Sequence, residues 1–270
     1  MAGETGFFAA VITAAGASRR MGGLKKEYHP LGPAYRDRGG NPLTVLGAAV
    51  SAFAAFPSIK IIVITVPPDA GTGERAARAS LPGELRAGEP GLPAPSGSPE
   101  VIFVPGGESR RASVHHALSR LEALEPGYVL IHDGARPWVS PDLVRRTMAA
   151  VLRYGAVVPL LPVIETPKEI DRFPGGGEEP GFISRHLRRS GVGTAQTPQG
   201  FRFPEILRAH ERAAERERRE GYEYTDDGEV WGEFSGRVAV IPGEEENRKI
   251  TFPGDLVPSD SQKPDRKGKP

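Results

Sequence analysis

The chain contains no cysteine. That excludes disulfides, thiolate metal sites and a thiol nucleophile. Any metal must be held by carboxylate or imidazole groups, so a hard, oxygen-seeking cation is the natural candidate. Charge imbalance is also lacking: 35 Lys and Arg stand against 34 Asp and Glu, a net charge of +1. No overall field exists to gather nucleic acid or an anionic membrane surface, and an anion site has to be local. No apolar run approaches the ~18 residues of a membrane span. The apolar stretch 7–15 has no basic segment before it, as a secretory signal would. A cytoplasmic chain without membrane or nucleic-acid partners is expected.

Glycine and proline are abundant, at 34 and 27 of 270 residues. They cluster at 32–42, 82–99 and 174–181, each time interrupting a periodic pattern, and mark insertions. Residues 257–270 carry too little apolar surface to fold and are expected to form a disordered tail. The rest, 1–256, is long enough for one sizeable core and is expected to be a single catalytic domain.

Four short runs, 8–13, 59–66, 101–104 and 128–131, have the length and β-branched content of buried parallel strands. Residues 42–56 (Leu43, Leu46, Val50, Phe53) and 109–124 (Val114, Leu118, Leu121) carry apolar side chains at helical spacing. Such alternation predicts an α/β fold, a mostly parallel sheet with helices on both faces. A helix over 142–154, an apolar run over 156–162 and a charged helix over 204–220 follow. Between them, about 161–188 is too broken by Pro and Gly for core. It is expected to leave the body as an arm and interlock a dimer. Ligands in such sheets lie beyond the carboxyl ends of the strands, where the reactive residues of this chain occur.

The first strand runs into Ala14, Ala15, Gly16, Ala17, Ser18, Arg19 and Arg20, with Lys25 and Lys26 following. Small residues let backbone N–H groups approach a polyphosphate, and Arg20 and Lys26 add charge. The spacing is neither that of a Walker loop nor that of a dinucleotide fold. The fourth strand ends in His132, Asp133, Gly134, Ala135, Arg136 and Pro137. Asp133 suits Mg²⁺, which takes one or two carboxylates plus phosphate oxygens. It equally suits a cap on the turn before the next helix. His132 reads as a structural hydrogen-bonding group. After the third strand, Gly106 and Gly107 enter a helix, with Ser113 one turn inside. Backbone groups at Gly107 and Glu108 can meet a base edge, and a wrong base would leave them unpaired. Taken alone, the stretch is also an ordinary helix start. Thr197-Pro198-Gln199 and the 247–251 segment complete the set, with Lys249 expected on a short strand.

Together and in this order these pieces resemble the 2-C-methyl-D-erythritol 4-phosphate cytidylyltransferase family over roughly residues 8–256. The family's phosphate loop is similar to residues 14–21. Its Pro-Lys-Gln is met by Lys25-Lys26-Glu27, which keeps Lys26 while the flanks depart. Gly106, Gly107, Arg110, Ser113 and Val114 match its Gly-Gly-x-x-Arg-x-x-Ser-Val, and residues 132–137 match its His-Asp-x-Ala-Arg-Pro. Glu165-Thr166, Leu187-Arg188-Arg189, Thr197, Thr225-Asp226 and Asn247, Lys249 and Thr251 stand at its remaining motifs.

The resemblance implies a Rossmann-like nucleotidyltransferase that moves a cytidylyl group from CTP to 2-C-methyl-D-erythritol 4-phosphate by in-line attack. Pyrophosphate is released, and the product serves isoprenoid precursor synthesis. It implies Mg²⁺ on Asp133, catalysis by Arg20, Lys26 and Lys249, and nucleotide binding by Ala14, Ala15, Gly16, Ala17, Ser18, Gly107, Glu108 and Ser113. The acceptor polyol phosphate falls to Ala135, Arg136, Thr166, Arg189, Thr197 and Thr225, with Thr166 and Arg136 brought to the partner of a homodimer. Ile164, where many members have Arg, and Arg188, in place of an Asp, keep ribitol 5-phosphate as an alternative acceptor. A transferase using UTP or GTP is a further alternative. A non-catalytic nucleotide-binding module would have lost its lysine or carboxylate, whereas Lys26, Asp133 and Lys249 are all present.

Overall fold

A computed structural model describes residues 6–16, 25–69, 71–86, 97–172 and 180–256. The elements in chain order are β1 (Phe8–Thr13), α1 (Val45–Ala54), β2 (Ile59–Val66), α2 (Thr72–Ala79), β3 (Glu100–Pro105), α3 (Arg110–Glu122), β4 (Tyr128–Asp133) and α4 (Pro141–Tyr154). There follow β5 (Ala156–Pro162), β6 (Lys168–Ile170), β7 (Ile183–His186), β8 (Gly193–Ala195), β9 (Gln199–Arg202), α5 (Glu205–Glu220), α6 (Asp227–Phe234) and β10 (Ala239–Pro242).

The main sheet has eight strands in the order β10-β5-β9-β4-β1-β2-β3, with β8 attached to β5. Its central strands are apolar on both faces because helices cover both. Along β1, Phe8, Ala10 and Ile12 pack with α1 and α4 (Leu46, Val50, Phe53, Leu143, Val144). The alternate residues Ala9 and Val11 pack with α3, α5 and α6 (Val114, Leu118, Leu121, Ile206, Leu207, Trp231). β1 runs parallel to β2 and β4, in a register that sets Thr13 level with Thr65 and with Asp133. This lines up the carboxyl ends on which the site is built. β9 enters antiparallel between β4 and β5, with Gln199 opposite Ile131, so the residues before it arrive beside Asp133. The outer strands β3 and β10 both end in proline.

All four expected strands are present, and β4 continues to Asp133 because its pairing with β1 does. The helix expected over 42–56 begins only at Val45. The Thr44 hydroxyl caps it by accepting from the Gly47 N–H at 2.9 Å, while Leu43 pairs back with Leu31 and Tyr35. Strands β9 and β10 and helices α2 and α6 were not expected. The arm is a separate antiparallel pair, β6 with β7, whose side chains are largely exposed. Its base is closed by β5 pairing with β8, which shifts the arm to 163–192. The tail 257–270 and the middle of the arm, 173–179, lie outside the described residues.

Lys249 is not on a strand. The Ile250 N–H reaches the Ala135 carbonyl, but Thr251 turns at once to the Asp255 carboxylate, so no ladder forms. Among the described residues no helix is long and apolar enough to cross a membrane.

Candidate functional site

Two loops meet above the central strands. The Ala14 N–H donates to the Thr65 carbonyl and hydroxyl, fixing the exit of β1 against β2. A Cβ on Gly106 would lie 2.2 Å from the Ala15 Cβ and 2.9 Å from the Ser113 Oγ, so only glycine lets these loops touch. The Ser113 hydroxyl accepts from the Gly107 N–H at 3.0 Å and donates to the Ser109 carbonyl at 2.9 Å. Its proton is therefore committed to the helix, and its oxygen fixes the backbone at Gly107. Ala17, Ser18 and Arg20 lie outside the described residues.

Beside these loops, Asp133 is surrounded by cations. Lys249 Nζ lies 2.9 Å from its Oδ2, Arg110 Nε 3.3 Å from Oδ1 and Arg136 Nε 3.4 Å from Oδ2. Burial alone would raise this carboxyl. The charges of Lys249, Arg110 and Arg136 outweigh burial and hold it well below the usual carboxylate range. The capping alternative fails, because Ser140 caps α4 through the Leu143 N–H. Of the three cations, Lys249 has the most open side chain, at 36% exposure against 29% for Arg110 and 12% for Arg136.

Arg110 also spans to a second carboxylate. Its Nη2 lies 2.8 Å from Asp227 Oδ2, and Asp227 is 1% exposed at the start of α6. Burial works against this charge too, and Arg110 prevails, so the Asp227 carboxyl is also lowered. Buried His210 approaches its other oxygen at 3.3 Å.

The underside of Asp133 is a neutral hydrogen-bond chain. The Asp133 N–H donates to Thr197 Oγ1 at 3.1 Å, and Thr197 Oγ1 is 3.0 Å from His132 Nδ1. His132 Nε2 is 3.0 Å from the Arg136 carbonyl. Desolvation pushes the buried His132 ring down to about 4, so it is neutral near pH 7, donating from Nε2 and accepting at Nδ1. Thr197 therefore supports Asp133 from below. The hydroxyl expected to hold the acceptor is buried and bonded to the Asp133 N–H and to His132.

Arg136 gives Nη1 to the Asn247 carbonyl at 2.7 Å and Ala135 gives its carbonyl to Ile250. Both hold the Lys249 segment of their own chain, as do Asn247 Nδ2 on the Thr197 carbonyl and Gln196 on the Glu244 carbonyl. Arg136 is thus tied within its own chain.

The remaining expected residues are dispersed. Lys26 is buried in the short turn Lys26–Tyr28, near enough to Asp255 for its charge to be felt there. The Thr225 hydroxyl donates to Glu229 at 2.7 Å. Thr166 and Arg189 are exposed on the arm, where Arg189 Nη1 donates to the Ile164 carbonyl at 2.7 Å. Arg110, Asp227 and Gln196 were given no role from sequence. A charged helix start and an acidic pair look the same whether solvated or buried.

Among the described residues no three His, Cys, Asp or Glu side chains are grouped so that they could hold a metal ion. The donor set at Asp133 is one carboxylate among three cations. This fits Mg²⁺ that shares its coordination with nucleotide phosphates and water, provided the exposed ammonium of Lys249 gives way.

Residues 8–261 match the family described as IspD, 2-C-methyl-D-erythritol 4-phosphate cytidylyltransferase. The enzyme of that name from Streptomyces avermitilis is 38% identical over 254 residues, covering 92% of this chain and 88% of its own. A bifunctional enzyme IspD/IspF from Rhodospirillum rubrum is 36% identical over 249 residues, 92% of this chain but 55% of the relative. The chain thus spans about half the length of that relative. The crystal structure of the Thermus thermophilus 2-C-methyl-D-erythritol 4-phosphate cytidylyltransferase superposes with a TM-score of 0.60 at 30% identity, covering 91% of this chain and 94% of that one.

Proposed function

The chain belongs to the 2-C-methyl-D-erythritol 4-phosphate cytidylyltransferase family, and on that footing we propose that it transfers a cytidylyl group from CTP to 2-C-methyl-D-erythritol 4-phosphate. The observation that carries this reading is the cluster of Lys249, Arg110 and Arg136 around Asp133, at the carboxyl edge beside the two small-residue loops. The acceptor phosphate attacks the α-phosphorus of CTP in line and pyrophosphate leaves. A phosphate oxygen is already ionised near neutral pH, so no general base is required. What the protein must do is bring two anions together and offset the charge that grows between them.

Lys249, the most open cation of the cluster, is suited to the reacting phosphoryl group, and Arg110 and Arg136 keep Asp133 ionised and fixed. Mg²⁺, when bound to Asp133 and the nucleotide, neutralises phosphate charge. Gly107 and Glu108 offer backbone groups to the base. Expected roles for Arg20 and Lys26 at the phosphates are retained in this reading. We place the reaction in the cytoplasm and its product in isoprenoid precursor synthesis.

Incubating the protein with each of the four nucleoside triphosphates and either acceptor, while following pyrophosphate, tests the assignment. CTP with 2-C-methyl-D-erythritol 4-phosphate should exceed every other pairing by at least ~10²-fold, as expected when buried polar groups read a base. UTP or ATP turning over as fast as CTP would overturn it, and a preference for ribitol 5-phosphate would replace the acceptor.

The acceptor reading also requires a second copy of the chain. Thr166 and Arg189 sit on an arm whose strands, among the described residues, pair only with each other and which exposes Ile164, Phe182 and Ile183. A homodimer in which each arm covers its partner's site explains both features. Sedimentation should show a dimer at working concentration; a nanomolar monomer with full activity contradicts it.

A further inference from the structure

Lys25 and Lys26 are neighbours with different surroundings. The charge of Lys26 is felt by Asp255, whereas the Lys25 ammonium turns to the end of β1. Its Nζ donates to the Ala14 carbonyl at 2.8 Å and to the Gly16 carbonyl, and lies 5.7 Å from the centroid of the Tyr28 ring. Among the described residues no carboxylate pairs with it. Burial pushes its pKa below the ordinary lysine value, and the nearby Glu27 and Asp69 offset this only in part.

A trans peptide sets each carbonyl opposite the following N–H. With the Ala14 oxygen drawn to Lys25, the Ala15 N–H faces away from the ammonium. The N–H groups of Ala15 and Gly16 donate to no partner among the described residues. The Ala15 donor is half-buried and the Gly16 donor is exposed, and two such N–H groups without a described partner, beside an ammonium, can together receive an anion.

We propose that Lys25 is a further nucleotide-binding residue, which holds the Ala14 carbonyl back so that the Ala15 N–H, with that of Gly16 beside it, meets the triphosphate. Its own charge adds to theirs. The inference rests on the CTP reading above but concerns a position where the family resemblance has a proline, which could supply neither charge nor donor.

Titration calorimetry with CTP and CMP, in EDTA so that no metal takes part, tests it on the intact protein. Lys25→Met should weaken CTP by about tenfold or more, the size of one lost hydrogen bond to a charged group. The loss should be smaller for CMP, which has fewer phosphates, and Lys25→Arg should recover most of it. If Lys25→Met does not fold, Lys25→Gln, with a neutral donor, is read in the same way. An affinity for CTP within about twofold of wild type overturns the assignment, as does an equal loss for CTP and CMP, which would mark general damage to the loop. Wild type that binds no CTP removes the functional reading and this residue's role with it. Wild type that binds CTP beside an unaffected variant removes only the latter.

Discussion

Asp133→Asn is expected to lower kcat for cytidylyl transfer by about 10²–10³-fold, the usual cost of removing one preorganised electrostatic group. Asparagine fills the same volume but cannot counter three cations. Lys249, Arg110 and Arg136 would then repel one another where Asp133 now draws them to within 2.9, 3.3 and 3.4 Å. The carboxylate proposed to hold Mg²⁺ is lost in the same change. Steady-state pyrophosphate release, with circular dichroism as a check on folding, decides the matter. A folded variant with kcat within tenfold of wild type would show that Asp133 is not at the reacting centre.

The largest stability effect is expected from Arg110→Met. Removing one partner of a buried ion pair leaves the other charge uncompensated and costs about 3–5 kcal/mol. Asp227, 1% exposed, would keep only the 3.3 Å approach of His210. Urea unfolding at pH 7 measures this, and a loss under about 1 kcal/mol would mean that Asp227 finds other compensation. In wild type the Asp227 carboxyl is lowered by Arg110, so its contribution is present above the ordinary aspartate pKa of ~3.9 and fades as pH falls through the folded value. Without Arg110 burial dominates and favours the protonated form. The gap between wild type and variant should therefore narrow in acid. Arg110→Met with Asp227→Asn should recover much of the loss, which a packing defect alone would not permit.

Much of this was legible because the strongest signals are local. The runs 8–13 and 59–66, apart from Lys60, are apolar on both faces and declare it by unbroken β-branched residues over 11–13 and 61–66. β9 was not legible. Its four residues, Gln199–Arg202, contain a glycine and two long polar side chains, and only pairing with β4 and β5 makes them a strand. Motif residues were found more readily than their roles. Thr197 was recognised in Thr-Pro-Gln, yet nothing in the motif tells whether its hydroxyl faces an acceptor or, as here, the Asp133 N–H beneath the site. Asp227 was hidden beside Asp226, since adjacent acids at a helix start look alike until one proves to be the cap and the other buried. Lys249 was misassigned to a strand because the side chains of Asn247 and Gln196, which no periodicity records, do what a ladder would have done.

The prolines that end β3 and β10 bear on how the molecule behaves in a crowded solution. An open sheet offers two rows of unpaired backbone groups on which a strand of another molecule can dock, the first step toward fibrous aggregation. Pro105 and Pro242 have no N–H to extend such a row, and β10 is only four residues long. Growth by addition of strands is discouraged at both borders. The contact between copies proposed above falls instead to the arm, whose strands β6 and β7 belong to a separate sheet.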